Sequence, residues 1–199
     1  MSNLDQFEFA VQLGRMSIPH IGHHNIQDQM IEAFKNRCLQ VLGSINVLTS
    51  LRDPLTYAER KMLLEKKYPE LPIEGIPDFP GDNVTWLETL DRAIRKHYTG
   101  PLEKVVFYTG CAEDVKELLM DKRSCHIVNR YDGISSPKIS GTEVRTLLLG
   151  AYKTRDKEAM KDAIRPLVDP LLVDDIVDLY WGKIEYMKED ALELIRHIV

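Results

Sequence analysis

The stretch that most constrains this chain runs from Phe7 to His24 and reads FEFAVQLGRMSIPHIGHH. Apolar residues alternate with other residues from Phe7 to Leu13, and this period of two predicts a β-strand with one strongly apolar face. Gly14 follows directly, and a glycine at this point lets the chain turn sharply and lets a ligand approach the main chain closely. The stretch therefore predicts a buried strand that ends at a binding turn.

Two histidines follow that turn at a helical spacing. His20 and His23 are three residues apart, so both imidazoles can project from one side of a first turn if a helix begins near Pro19 or His20. The first turn of a helix also offers backbone N–H groups and the positive end of the helix dipole, which together favour a phosphate. With Arg15 beside the turn, these groups suit a polyanionic ligand.

The adjacent pair His23 and His24 allows a second interpretation, as a fragment of a zinc site. Zinc sites normally add further ligands at short spacing, whereas Cys38, Cys111 and Cys125 are scattered along the chain without a CxxC pair. A strand, a glycine turn and an HxGH sequence in succession are also more specific than either histidine alone. The stretch therefore favours phosphate binding over zinc.

Later segments extend the alternation of strands and helices. Helical spacing of apolar residues predicts an amphipathic helix from Asn25 to Lys35, and Cys38 to Leu42 is a short apolar strand. A strand, a helix and a strand in succession form a crossover unit with parallel pairing. Further predicted elements are a helix starting near residue 56, at most a short strand within 71–79, a helix from residue 82 or 83 to about 97, a strand at 104–108, a helix at 112–120, a strand at 125–129, a helix from residue 140 to Gly150, and then a charged helical tail.

A second motif, SGTEVR, begins at Ser140. Ser140 and Glu143 match a capping box at the start of a helix. The capping box leaves Gly141, Thr142 and Arg145 unexplained. A glycine in the first turn exposes amides, a threonine hydroxyl adds a donor, and an arginine one turn later can neutralise charge. Such a helix start can bind the outer phosphates of a nucleotide.

The two motifs GRMSIPHIGH and ISGTEVR together resemble the GRFxPxHxGH and ISxTxxR signatures of the nucleotidyltransferase superfamily. Their form is similar to that of the archaeal-type nicotinamide mononucleotide adenylyltransferases. Met16 and the order Ile18-Pro19 depart from the commonest form, but Gly14 and the histidines stay in register. The resemblance covers most of the chain. It implies an α/β fold with a Rossmann-like doubly wound parallel sheet, in a single domain of residues 1–199 with a core at 1–150 and a helical segment at 151–199.

The resemblance also implies an activity, the transfer of an adenylyl group from ATP to nicotinamide mononucleotide to give NAD and pyrophosphate. The attacking phosphate is already an anion, so catalysis would consist of positioning and charge stabilisation. Implied catalytic residues are His20, His23 and Arg145. Implied ATP-binding residues are Gly14, Arg15, Met16, His20, His23, Gly110, Ser140, Thr142 and Arg145. Mg²⁺ would arrive with ATP, held mainly by phosphate oxygens and without dedicated protein ligands.

The implied site for nicotinamide mononucleotide consists of Arg52, Asn83 and Trp86. In the family, a loop arginine reaches toward substrate phosphate, the tryptophan stacks on the nicotinamide ring and the asparagine meets its amide. Two simpler interpretations stand beside these roles, core packing for Trp86 and a solvated side chain for Arg52. Cys111 follows Gly110 where the family has asparagine, so a contact of that asparagine is absent here.

Composition limits the other classes of function. A net charge of -5 and a pI near 5.7, without a dense basic block, argue against a general nucleic-acid binder. The N-terminus lacks the features of a signal peptide, no apolar run is long enough for a membrane span, and the unclustered cysteines suit a reducing cytoplasm. The absence of GxGxxG and GxxxxGK[ST] argues against a dehydrogenase or a P-loop kinase.

Two further hypotheses stay open beside adenylyl transfer to nicotinamide mononucleotide. One is an adenylyl- or cytidylyltransferase of the same fold with another acceptor, such as phosphopantetheine. The other is a nucleotide-sensing module that binds without turnover. Because archaeal-type relatives assemble into oligomers, the resemblance also raises the expectation of a homo-oligomer.

Overall fold

The computed structural model describes residues 4–50, 53–129 and 139–186. The chain divides into two compact units. The first unit comprises residues 1–15, 22–47 and 68–132, and the second comprises residues 16–21, 48–67 and 133–199. The expectation of one domain over residues 1–199 stays a prediction, and the part of the predicted helical tail beyond residue 186 lies outside the described residues.

The first unit contains a five-stranded parallel sheet in the order β3-β2-β1-β4-β5. The strands are β1 (Phe9–Gly14), β2 (Cys38–Leu42), β3 (Ile73–Gly75), β4 (Val105–Thr109) and β5 (Ser124–Ile127). The helices of the described chain are α1 (Ile21–Phe34), α2 (Tyr57–Lys67), α3 (Asn83–Arg95), α4 (Lys116–Met120), α5 (Gly141–Tyr152), α6 (Lys157–Ile164) and α7 (Val173–Tyr186).

Helices cover both faces of the sheet. On one face, α3 and α4 pack against a cluster that includes Phe9, Val11 and Phe107. On the other face, α1 packs against Ala10 and Tyr108. Parallel sheets need this cover because their strands are apolar on both sides. The predicted Rossmann-like, doubly wound α/β fold is therefore confirmed.

The strongly apolar face predicted for β1 is present, since Phe9 and Val11 pack in one core cluster. Ala10 and Gln12, on the face opposite Phe9 and Val11, are buried as well. The reason is that α1 covers this second face. Phe7 lies before the strand and packs with the cluster around Ala10 rather than with the cluster around Phe9.

Two predicted elements near the end of the first unit shift. The segment predicted as one helix at 112–120 is a 3-10 turn at Glu113–Val115 followed by the short helix α4. The strand predicted at 125–129 is β5, which begins one residue earlier and ends at Ile127. Its position is set by pairing with β4, in which Phe107 lies opposite Cys125.

The helix predicted to end at Gly150 continues to Tyr152. Gly150 lies inside α5 and lacks the positive φ of a helix-ending glycine. Leu148, Leu149 and Tyr152 are buried, and their burial outweighs the cost of about 1 kcal/mol for a glycine within a helix.

The described part of the second unit is helical, with α2, α5, α6 and α7. Its first segment, residues 16–21, is held by side-chain and backbone hydrogen bonds. Ser17 Oγ donates to Asp53 Oδ1 over 2.6 Å, and the Ile21 amide donates to the Leu167 carbonyl over 2.9 Å. Helices α5 and α7 meet where the rings of Tyr152 and Trp181 lie 4.9 Å apart. Across the described residues no helix is both long and apolar enough to cross a bilayer.

Candidate functional site

The carboxyl edge of the sheet in the first unit carries four glycines. Gly14 ends β1, Gly75 ends β3, and Gly43 and Gly110 follow β2 and β4. The chain leaves β1 toward β2 on one side, while β4 lies on its other side, so β1 and β4 border a topological switch point. Ligands of open parallel sheets bind at such a point, beyond the carboxyl ends of the strands. Gly14 and Gly110 therefore lie where a ligand is expected.

Arg15 is exposed at this edge and is tethered to the neighbouring loop. Its Nε donates to Ser44 Oγ over 3.0 Å. Ser44 is buried and has a φ of 59°, a left-handed conformation that serine rarely adopts. The same loop is fixed further along, where Asn46 and the backbone of Asp78 exchange two hydrogen bonds of 3.0 and 2.8 Å. Arg15 is thus an exposed cation on a held turn.

Helix α1 begins at Ile21, before the Asn25 start of the predicted amphipathic helix and directly after His20, so that His23 but not His20 lies in its first turn. His23 is half-buried in its first turn, and its carbonyl accepts a hydrogen bond from Gln12 Nε2 over 3.4 Å. His24 is buried, and its Nδ1 lies 3.0 Å from Gln27 Oε1. Among the described residues, no three His, Cys, Asp or Glu side chains are grouped to hold a metal ion.

The predicted site for a nicotinamide ring lies at the start of α3 in the first unit. Asp82 caps this helix by accepting from the Thr85 amide over 3.0 Å, so Asn83 is the first helical residue. Asn83 is exposed, and its Nδ2 donates to Glu117 Oε2 over 2.6 Å. Because Nδ2 is engaged there, Oδ1 is the atom that Asn83 can present as an acceptor. Trp86 is half-buried and packs on the sheet core, as the simpler interpretation expects.

The turn after β4 is closed by Thr109, whose hydroxyl donates to the Cys111 carbonyl over 2.9 Å. Partial burial, and to a lesser extent a hydrogen bond with Asp114, raise the pKa of the Cys111 thiol. The thiol is therefore protonated at neutral pH. A neutral side chain therefore follows Gly110 in the turn after β4.

The other candidate residues lie in the second unit, where Met16 and His20 are buried in the segment that precedes α1. Met16 has a φ of 48°, so the backbone is in the left-handed region immediately after Arg15. A left-handed conformation is unusual for a residue with a long side chain. It marks the turn as a place where the surrounding structure imposes the backbone geometry.

The start of α5 in the second unit has the predicted local geometry. Ser140 Oγ accepts from the Glu143 amide over 3.2 Å, which confirms the N-cap. Arg145 Nη2 donates to Thr142 Oγ1 over 2.9 Å, and an added Cβ on Gly141 would lie 3.3 Å from Arg145 Nη1. The guanidinium therefore folds back over the first turn, as the spacing predicts.

Helix α7 contributes to the surroundings of this arginine. Tyr180 is fully buried on α7. Burial raises the pKa of Tyr180, and the positive charge of Arg145 acts in the opposite direction. The guanidinium is therefore within electrostatic range of the Tyr180 hydroxyl.

The structure thus places Gly14, Arg15 and Gly110 at one sheet edge of the first unit, with His23 in the first turn of α1, and groups Ser140, Thr142 and Arg145 at the start of α5 in the second unit. Arg52 lies outside the described residues. Four partners were not predicted from the sequence: Gln12 and Glu117, which bond to the site residues His23 and Asn83, and Gln27 and Gln40, which bond to each other behind them. A signal existed for two of them, since Gln12 and Gln40 are polar residues in strands predicted to be buried.

No protein-family model matches the chain, and no curated protein matches it in sequence. Solved structures do match. A bifunctional NMN adenylyltransferase/ADP ribose pyrophosphatase from Francisella tularensis gives a TM-score of 0.68 at 15% identity, covering 92% of this chain and 54% of that one. The same kind of protein complexed with AMP and a Mn ion gives 0.63 at 15% identity, covering 90% and 52%.

A NadR protein in complex with NAD and AMP-PNP gives a TM-score of 0.52 at 18% identity, covering 74% of this chain and 44% of that one. The present chain spans about half the length of the bifunctional proteins that it matches. At these identities the likeness shows a shared fold. The α/β Rossmann-like architecture is therefore common to this chain and to structures of NMN adenylyltransferases.

Proposed function

We propose that the chain is an adenylyltransferase that joins ATP and nicotinamide mononucleotide to give NAD and pyrophosphate. The observation that supports this most is the sheet edge of the first unit, where glycines end β1 and follow β4 at the switch point and α1 presents His23 in its first turn. The shared fold with NMN adenylyltransferase structures supports the same conclusion.

In this proposal the phosphate of nicotinamide mononucleotide attacks the α-phosphorus of ATP. A bond from that phosphate oxygen to phosphorus forms, the bond to the bridging oxygen breaks, and pyrophosphate leaves. The nucleophile is already an anion, so no general base is needed. Catalysis is positioning together with stabilisation of the negative charge that grows on the phosphates.

The residues of the two motifs take the following roles. His20 and His23 contact the reacting phosphates, and Gly14 allows the nucleotide to approach the main chain. Arg145, with the hydroxyls of Ser140 and Thr142, binds the β- and γ-phosphates, because a guanidinium matches phosphate geometry with two hydrogen bonds. The remaining ATP contacts are proposed for Arg15, Met16 and Gly110.

The acceptor would be held by Trp86 against the nicotinamide ring and by Asn83 at its amide, with Arg52 toward its phosphate. Glu117 supports the role of Asn83 because it fixes the side-chain amide, so that Oδ1 accepts from a donor on the ligand. Mg²⁺ would enter with ATP and be ligated mainly by phosphate oxygens. One fold neighbour was determined with AMP and a Mn ion, which is consistent with a divalent ion beside the nucleotide.

The test is pyrophosphate release from ATP and Mg²⁺ with three acceptors supplied separately, nicotinamide mononucleotide, nicotinate mononucleotide and phosphopantetheine. Turnover with a pyridine mononucleotide is the expected result. Turnover with phosphopantetheine alone would contradict the proposed acceptor and support another transferase of the same fold. Binding of ATP without turnover of any acceptor would contradict the proposed enzymatic activity and favour a nucleotide-sensing module.

A further inference from the structure

Two glutamines lie in the middle of the central strands of the first unit. Gln12 on β1 and Gln40 on β2 are register partners, and only 3% and 0% of their surfaces are exposed. Interior strand positions of a covered parallel sheet are normally apolar, because a buried polar group must find hydrogen-bond partners. The pair therefore requires a reason beyond packing.

Hydrogen bonds fix the orientation of each amide in turn. Gln40 Nε2 donates to the carbonyls of Gln12 and Val41 over 3.1 and 3.0 Å, so its Oε1 must face the other way. Gln27 Nε2 on α1 donates to that Oε1 over 2.9 Å. Gln27 Oε1 is then left to face His24 Nδ1, at 3.0 Å. Since Oε1 can only accept, His24 Nδ1 carries a proton.

The Gln12 carbonyl and the side chains of Gln40, Gln27 and His24 thus form one buried chain of hydrogen bonds, which together with the Gln12 side chain is here called the amide network. It begins at backbone carbonyls of β1 and β2 and ends in the first two turns of α1. Partly satisfied buried networks are costly, so a rotation of α1 or a shift along its axis would break several of these bonds at once. The network therefore fixes the register of α1 against the sheet.

Gln12 extends this constraint to the first turn of α1, which contains His23 and is called the His23 turn below. Its Nε2 donates to the carbonyl of His23, while its Oε1 is buried and accepts no hydrogen bond from the described residues. A buried acceptor without a hydrogen bond lowers the stability of the fold. A glutamine at position 12 is therefore not explained by stability alone, and Gln12 is the residue whose side chain contacts the His23 turn.

We propose that the amide network is a positioning device, in which Gln12, Gln27 and Gln40 hold the His23 turn in the geometry that the reacting phosphates require. This inference rests on the proposed function, since it assumes that His23 contacts phosphate. Small displacements of a catalytic group lower the rate strongly, whereas they change ground-state binding less. The network should therefore act mainly on kcat.

The first test is Gln12→Met, which keeps the shape of the side chain and removes its polar atoms. We expect kcat to fall by about ten-fold or more, because the His23 turn loses its tether, while Tm stays the same or rises, because a buried unsatisfied acceptor is removed. The matched control is Gln29→Met on α1, where Gln29 is half-buried and donates to Asn25 over 3.1 Å. A Gln12→Met protein with normal kcat and a lowered Tm would show a structural role only and overturn the proposal.

The second test compares Gln27→Leu and Gln40→Leu with the double variant. Each single change leaves a buried polar partner unsatisfied, so Tm should fall in both. The double change removes both partners of one hydrogen bond, so Tm should recover at least in part, whereas kcat should stay low because α1 is no longer held by the network. Recovery of kcat together with Tm would overturn the positioning role.

Binding measurements separate this inference from the proposed function. ATP affinity is measured by calorimetry for the wild type and for Gln12→Met, and the tautomer of His24 is read from its ¹⁵N shifts. If the wild type binds ATP without turnover, and Gln12→Met weakens that binding at an unchanged Tm, the proposed activity fails and the positioning role stands. Failure of the wild type to bind ATP would overturn both, and a His24 without a proton on Nδ1 would overturn the network itself.

Discussion

The starts of α1 and α5 are both candidate phosphate sites, but they are built in different ways. The first two turns of α1 are held by buried glutamines, Gln12 of β1 at the His23 carbonyl and Gln40 of β2 at Gln27. The first turn of α5 is held by its own residues, through the Ser140 cap and the bond from Arg145 to Thr142. The first set of hydrogen bonds therefore joins residues distant in sequence, whereas the second set lies within six consecutive residues.

This difference predicts how each site responds to mutation. A change near α1 should pass through the buried network and alter geometry, because interiors transmit small shifts. A change near α5 should remove one contact and leave the rest of the helix start in place. The two sites can therefore be separated by comparing kcat, KM and Tm in matched variants.

The largest expected effect is that of His23→Ala. Removing a donor to charge that develops in the transition state typically lowers kcat by about 10²–10³-fold, and the same range is expected here. His23 is half-buried, so the change in Tm should be small. The matched control is His97→Ala in the same unit, where His97 lies 3.0 Å from Glu74 at the surface. A His23→Ala enzyme with near-normal kcat would remove this residue from the mechanism.

Arg145→Ala is expected to have the next largest effect. Hydrogen bonds to a charged group contribute about 1.5–3 kcal/mol, which corresponds to a loss of about 10–150-fold in kcat/KM for ATP. Arg145→Lys should recover only part of this loss, because lysine cannot form the paired hydrogen bonds of a guanidinium. Arg165→Ala serves as the control, since Arg165 is exposed in the same unit and pairs with Asp162. Equal effects of the two alanine variants would contradict a specific role for Arg145.

The same contrast explains which features were predictable from the sequence. The capping box of α2 and the Ser140 cap were predictable, because their partners lie three residues apart and depend only on local geometry. The doubly wound sheet was predictable from the order of strands and helices. All of these depend on residues that are close in sequence or on simple periodicity.

The support of the His23 turn could not be derived in the same way. Gln12 and Gln40 are 28 residues apart, and their contact depends on the register of two parallel strands. The burial of the second face of β1 was missed for a related reason, since the cover of that face by α1 is a tertiary property. The orientation of Asn83 likewise depends on Glu117, which lies 34 residues away.

A smaller effect is expected for Ser140→Ala. Loss of an N-cap hydroxyl costs about 1 kcal/mol, which for a chain of this size lowers Tm by about 2–4 °C. If Ser140 also binds phosphate, kcat/KM for ATP should fall by about two- to five-fold as well, an effect that the small loss of stability does not explain. Asp156→Ala removes the cap of α6, where Asp156 accepts from the Glu158 amide over 2.8 Å, and should lower Tm alone. Identical profiles for the two variants would show that Ser140 acts only as a cap.

The smallest effect is expected at α2, which starts with a local cap like α5 but carries none of the proposed phosphate contacts. Burial raises the pKa of Glu59, but hydrogen bonds with Thr56 and Lys183 outweigh it and hold the pKa below its ordinary value of 4.5. A carboxyl with a lowered pKa stabilises the fold above 4.5, and this stabilisation is lost as the pH falls through the folded-state pKa. Glu59→Gln should therefore lower Tm at pH 7, and its difference from the wild type should shrink below pH 4.5. The Ser140 hydroxyl does not titrate, so the difference for Ser140→Ala should be similar at both pH values. A Glu59→Gln difference that does not change with pH would show that the carboxylate charge contributes nothing to this helix start.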